Sequence, residues 1–450
     1  MTRKINNSKI DQIIFWILNL TYLISIPYYY INGYDIYYCF SNLVFLPLLA
    51  YILKKIVALY YRLPFHQNFK KFYLKNRHLI NSESELKKMY DFFVKSESLK
   101  FVSYYWNYLN IKNLNQIIKS DLKIDEYALQ LGLDYYIFND FTDDEINQTM
   151  KNLAKDNFNI KVNIFKKHNN FNYIQSMKYN NLLLLNYLNL KKLSYFSELS
   201  KLNDNGYLCF NDPYIEIEGV KVTSDKITSL FDYCNISKLA DLKNIKTILE
   251  IGAGSGRTSQ AILDLHKNIK YVICDIPAAL YVSYKRLSKA FPSKKIGLLY
   301  DFFAPEVHGG GVGGNDLNNK KNTKIKFRSN LILEINKYDI SFIMPHQLEC
   351  IKNSFFDLTI AIDCIHEMDK KIIKNYLNNI NNISDLFYFS VWKKTTVPFS
   401  GIFNFYRNNL NYYLDDYNIP KNWEKKFEED LIFPSNFIGA GFKIPSKFKY

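Results

Sequence analysis

Residues 247–257 constrain the fold of this chain more than any other stretch. Thr247, Ile248, Leu249 and Ile251 are β-branched or apolar around a single acid, Glu250, and read as a short buried strand. Gly252, Gly254 and Gly256 follow at alternate positions. From Arg257 onward, Thr258, Ile262 and Leu265 share one face at helical spacing. A strand that runs through a glycine turn into a helix presents unpaired helix N–H groups to a ligand. The glycines let that ligand approach the backbone where a Cβ would stand in its way.

After this stretch strands and helices alternate. Residues 270–275 read as a second strand ending in Asp275, with a crossover helix at 278–291 and a third strand at 295–300. Short strands are expected at 339–344, 356–362 and 386–392, and an antiparallel pair, 431–433 with 437–444, closes the edge. This alternation predicts an α/β fold, a Rossmann-like sheet over 241–450. The loop holding Gly309 to Gly314 and the basic cluster Lys320, Lys321, Lys324, Lys326 and Arg328 has no strand before it and no helix after it. It reads as a flexible insertion at about 303–330, not a phosphate cradle.

Upstream, 61–240 is expected to be a mostly helical domain. Tyr90, Phe93 and Val94 recur at helical spacing, as do Ile146, Met150 and Leu153. The domain ends in a small hairpin over 213–223, turning at Glu218 and Gly219, and a helix over 225–234. Residues 13–31 and 36–53 carry no charge, and each is near the length a bilayer crossing needs. Arg3, Lys4 and Lys9 precede the first run, and Lys54, Lys55 and Arg62 follow the second. That is a positive-inside pattern for a membrane hairpin within 1–60, with the chain on the cytoplasmic side of an inner membrane. A pair of buried helices in a soluble domain is the alternative.

With 450 residues, 48% of them hydrophobic and 22% charged, the chain is a folded protein of two or three domains. Its net charge of +15 comes from lysines scattered along the whole length, which argues against nucleic acid as a partner. The six cysteines form no C-x-x-C pair, as expected of reduced, buried thiols. No metal-binding pattern such as HExxH is present.

What the glycine turn binds follows from its spacing. The dinucleotide fingerprint is G-x-G-x-x-G, whereas here Arg257 stands at the last glycine and Glu250 precedes the first. Asp275 follows Gly256 by 19 residues, where an acid can take two ribose hydroxyls. Glu-x-Gly-x-Gly-x-Gly at the end of a first strand resembles the first motif of class I S-adenosylmethionine-dependent methyltransferases. Residues 248–258, 271–281, 343–349, 354–359, 365–368 and 391–394 together resemble the sugar O-methyltransferase family, with 212–216 and 106–109 as upstream elements. The hairpin and the glycine-rich insertion lie outside that resemblance.

The resemblance implies S-adenosylmethionine as cofactor. Glu250, Gly252, Gly254 and Gly256 would border its methionine part, Asp275 and Ile276 its ribose, and Gln347 and Leu348 in the turn after 344 its adenine. Asp363, at the end of a core strand, would lie beside the methyl donor. His366 or Glu367 would take the proton of a sugar or glycolipid hydroxyl, with Glu367 acting directly or by orienting the imidazole. A structural His366 and a structural turn at Gln347 are the plainer readings. Lys393 and Lys394 would hold an anionic sugar, or simply be solvated. An NAD-dependent oxidoreductase on the same sheet and a non-catalytic membrane adaptor are the rival functions.

Overall fold

The computed structural model describes residues 69–120, 163–300, 331–393 and 417–445, short breaks aside. All of these fall in one compact unit. The uncharged runs 13–31 and 36–53, the insertion at 303–330 and Ile146, Met150 and Leu153 lie outside the described residues. Among the described residues no helix is long and apolar enough to cross a membrane.

The core is an eight-stranded sheet in the order β5-β6-β4-β3-β7-β8-β10-β9. Its parallel part comprises β3 (Thr247–Ile251), β4 (Lys270–Cys274), β5 (Ile296–Leu298), β6 (Ile340–Ile343), β7 (Phe356–Ile362) and β8 (Ser384–Trp392). β3, β4, β6 and β7 are buried along nearly their whole length, as parallel strands covered on both faces must be. From β3 the chain steps outward through β4, then returns to β7 on the other side of β3. That reversal opens a crevice at the carboxyl ends of β3 and β7, where ligands of such sheets bind.

The far edge corrects the sequence reading. The reversed strand β10 (Phe437–Lys443) pairs with β8 and with β9, but β9 is Glu424–Asp430 and not 431–433. Four acids and two lysines around Phe427 hide this strand from any apolar pattern. At a sheet edge those charges face water, where they also discourage pairing with another chain.

Helices complete the layers. α1 (Phe69–Asn76) and α2 (Glu85–Lys95) join through rings of Phe69, Tyr73, Tyr90 and Phe93. α3 (Tyr104–Ser120) follows, then α4 (Tyr173–Lys191) with its Asn172/Gln175 capping box, and the single turn α5 (Asp204–Tyr207). α6 (Ser224–Ser237), capped by Thr223, is buried almost throughout. α7 (Arg257–Leu265) links β3 to β4, and α8 (Pro277–Ala290) starts on a proline whose missing N–H costs nothing there. α2 and α3 pack against α8, and α9 (Lys370–Ile383) covers β8. The hairpin β1 (Ile215–Ile217) and β2 (Val220–Val222) turns at Glu218 and Gly219, φ 50° and 79°. Tyr187 and Lys191 of α4 fasten the Glu218 carboxylate at 2.7 and 2.8 Å.

Candidate active site at the glycine turn

A cavity of about 130 Å³ opens at the carboxyl ends of β3, β4 and β7. Glu250, Gly252, Gly254, Asp275, Ile276, Asp363 and Glu367 line it, so seven of the eleven expected site residues meet at one place. Gly256, Gln347, Leu348 and His366 do not.

The three glycines differ in what surrounds them, and only one has open space where a Cβ would stand. All lie at positive φ. A Cβ at Gly252 would fall 2.6 Å from Cys364 Cβ, and one at Gly256 would fall 2.9 Å from Ser283 Cβ on α8. Those two let elements of the protein itself close up. At Gly254, φ 58°, a Cβ would meet nothing within 4 Å, because this residue faces the open cavity.

Arg257, standing where a dinucleotide turn has a glycine, is buried and pairs with Asp232 of α6 at 2.5 Å. Its carbonyl accepts the Tyr207 hydroxyl at 3.0 Å. It anchors the start of α7 and offers no free charge to a phosphate.

Each acid of the cavity is braced. Glu250 Oε2 accepts the Tyr271 hydroxyl at 2.8 Å, and burial still pushes its carboxyl up to about 7. Asp275 accepts the Gly254 N–H at 2.9 Å and the Ile276 N–H at 2.7 Å, and burial lifts it to about 7 as well. Asp363, at φ 53° in a region few residues other than glycine adopt, accepts the Trp392 indole N–H at 3.1 Å. Glu367 Oε2 accepts the Trp106 indole N–H at 3.0 Å. Burial, and next the charge of Asp363, hold the Glu367 carboxyl well above its ordinary range. Among the described residues no group of His, Cys, Asp and Glu has the geometry of a metal site.

His366 takes another place than the one expected. It is 2% exposed and stacks on Trp392 with ring centroids 5.6 Å apart, outside the cavity lining. Its Nε2 lies 3.5 Å from Asp363 Oδ1, and burial depresses its basicity to about 3. A ring so placed braces Asp363 and makes a poor proton acceptor at neutral pH. Gln347 likewise spends its amide on the protein: Oε1 accepts the Met344 N–H at 2.8 Å and Nε2 donates to the Leu299 carbonyl at 2.7 Å. Leu348 is core. The turn after β6 is held by its own side chains and does not reach the cavity.

The wall opposite the glycine turn comes from α3, through Trp106, Leu109 and Asn113. Trp106 reaches from Glu367 to within 3.7 Å of where a Gly252 Cβ would stand. The signal for this wall is a tryptophan, a leucine and an amide (Trp106, Leu109 and Asn113) at i, i+3 and i+7, sharing a helix face. It is weak without the partner surface.

No protein-family model and no curated protein matches the chain. Among solved structures, a pyocyanin biosynthetic protein is 14% identical over 57% of this chain and 61% of its own, with a TM-score of 0.30. The mitomycin 7-O-methyltransferase is 10% identical over 49% and 56%, TM-score 0.28. Magnesium protoporphyrin IX methyltransferase from Synechocystis, with bound S-adenosylhomocysteine, is 9% identical over 49% and 85%, TM-score 0.29. The chain thus spans about three-fifths of the first and just over half of the second.

Proposed function

We propose that this protein transfers a methyl group from S-adenosylmethionine to a hydroxyl, with a sugar as the acceptor. The observation that carries the reading is one cavity in which an open glycine, Gly254, lies between two buried acids, Glu250 and Asp275, with Asp363 and Glu367 opposite. Four carboxylates suit a ligand that carries positive charge, and a sulfonium with an amine is such a ligand. Asp275, fixed by two backbone N–H groups, keeps lone pairs for ribose hydroxyls. When bound, the donor supplies an electrophilic methyl and departs as a neutral thioether.

Glu367 is the residue to take the hydroxyl proton as the oxygen–methyl bond forms. It lines the cavity, the Trp106 N–H fixes it, and its raised proton affinity makes it a strong base once ionised. A cation brought beside it favours that ionised form. Titration calorimetry with S-adenosylhomocysteine and with NAD tests the reading, and binding of the nicotinamide alone overturns it. The membrane hairpin at 13–53 enters the same proposal on its sequence, placing the reaction where surface glycans or lipid-linked saccharides are assembled. Full-length protein that stays in the soluble fraction without detergent would refute the hairpin.

A further inference from the structure

The chain and its cavity have opposite electrostatic character. The protein carries a net +15, yet Glu250, Asp275, Asp363 and Glu367 converge on one cavity. Arg257, a cation in that lining, is committed to Asp232. Outside the lining, Arg286 pairs with Asp225 at 2.6 Å, and Lys393, at the end of β8, with Asp430 at 2.9 Å.

The wall formed by α3 is neutral and has spare hydrogen-bonding capacity. Asn113 is 5% exposed and lines the cavity, and its side chain makes no hydrogen bond among the described residues. Asn110, on the same stripe and fully buried, has neither amide atom paired among the described residues. Asn110 lies behind the lining, whereas the Asn113 amide faces the cavity and offers donors and an acceptor that match a hydroxyl. Trp106 and Leu109 beside them are apolar surface for the carbon face of a ring.

We infer that the acceptor sugar itself bears no charge, and that one of its hydroxyls is read by the Asn113 amide of α3. Phosphorylated sugars and uronic acids are excluded by the cavity's carboxylates. This rests on the methyl-transfer reading. An anionic substituent entering the cavity would lose its hydration and meet acids that the donor's positive charge holds ionised, while Arg257, the cation of the described lining, is already paired. Two like charges about 6 Å apart at an effective dielectric of about 20 cost on the order of 100-fold in affinity.

The test uses full-length protein, donor labelled in its methyl group, and total carbohydrate and glycolipid from the source cells. Products are hydrolysed mildly to single sugars and passed over an anion exchanger. The label is expected in the neutral fraction. The neutral glycoside of the labelled sugar should exceed its phosphate or uronate counterpart by ~100-fold in kcat/KM. Asp363→Asn should narrow that preference by ~10-fold, since asparagine also tolerates positive φ. Asn113→Leu should raise the acceptor KM by ~10-fold through loss of a buried hydrogen bond. Label on a uronic acid or sugar phosphate overturns the inference and leaves the methyl-transfer reading standing. Failure to bind S-adenosylhomocysteine brings down the reading itself.

Discussion

Glu250 holds a proton that an unfolded chain would release. Its folded carboxyl sits at about 7 because of burial, against about 4.3 in an unfolded chain. The folded state therefore binds the extra proton between those values. The group's stabilising contribution is complete below about pH 4 and is lost as pH rises through 7. Glu250→Gln, which can still accept the Tyr271 hydroxyl, should therefore stabilise the ligand-free protein at pH 8 by ~1–3 kcal/mol and bring no gain at pH 4. The same change should weaken donor binding. Denaturant melts at the two pH values and calorimetry check both halves.

At Glu367, replacement by glutamine keeps the size and an acceptor for the Trp106 N–H but abolishes the base. Its kcat should fall ~10²–10⁴-fold while the donor Kd moves far less. His366→Gln should leave kcat within ~10-fold of wild type, since the ring stands outside the cavity; a larger loss would return the base to the histidine.

The glycine turn was legible as an element, but its division of labour was not. Spacing alone gave the strand, the turn, the helix and the acid at 275, because each rests on local pattern and backbone geometry. That Gly252 and Gly256 make room for Cys364 and Ser283 depends on what folds against them, which no local pattern carries. A paired substitution separates the roles. Gly254→Ala should fold with a cost of ~1–2 kcal/mol for its left-handed backbone and lose donor affinity. Gly256→Ala adds a clash with α8 and should cost ~2–4 kcal/mol. Thermal melts and calorimetry on the two variants read the contrast. The wall from α3 was hidden for a similar reason: 106–109 stood out in the sequence, but only the fold brings it to Glu367. The edge strand β9 escaped because charge, not hydrophobicity, fills it.

Across the whole molecule the parallel sheet followed from apolar runs separated by helical spacing, and the crevice at its switch point followed from the sheet. The electrostatics of the cavity did not, because a chain of net +15 gives no hint that its acids gather at one point. That gathering has a measurable consequence. Glu250 and Asp275 both titrate at about 7, so a cationic donor binding near neutral pH must displace protons. Donor affinity should rise between pH 6 and 8. Calorimetry in buffers of different ionisation enthalpy should detect proton release at pH 7; uptake of protons would contradict the assignment.

The hydrogen bond from Trp106 to Glu367 spans 261 residues of sequence. A ribosome that has made the glycine turn and Asp275 has still not made the residue that Trp106 grips. Until about residue 370 has emerged, a growing chain holds both halves of the donor site's frame without the link between them. On the methyl-donor reading, a nascent chain is expected to gain donor affinity only as its sheet nears completion. A donor that bound only the finished form would then draw late folding toward completion by mass action.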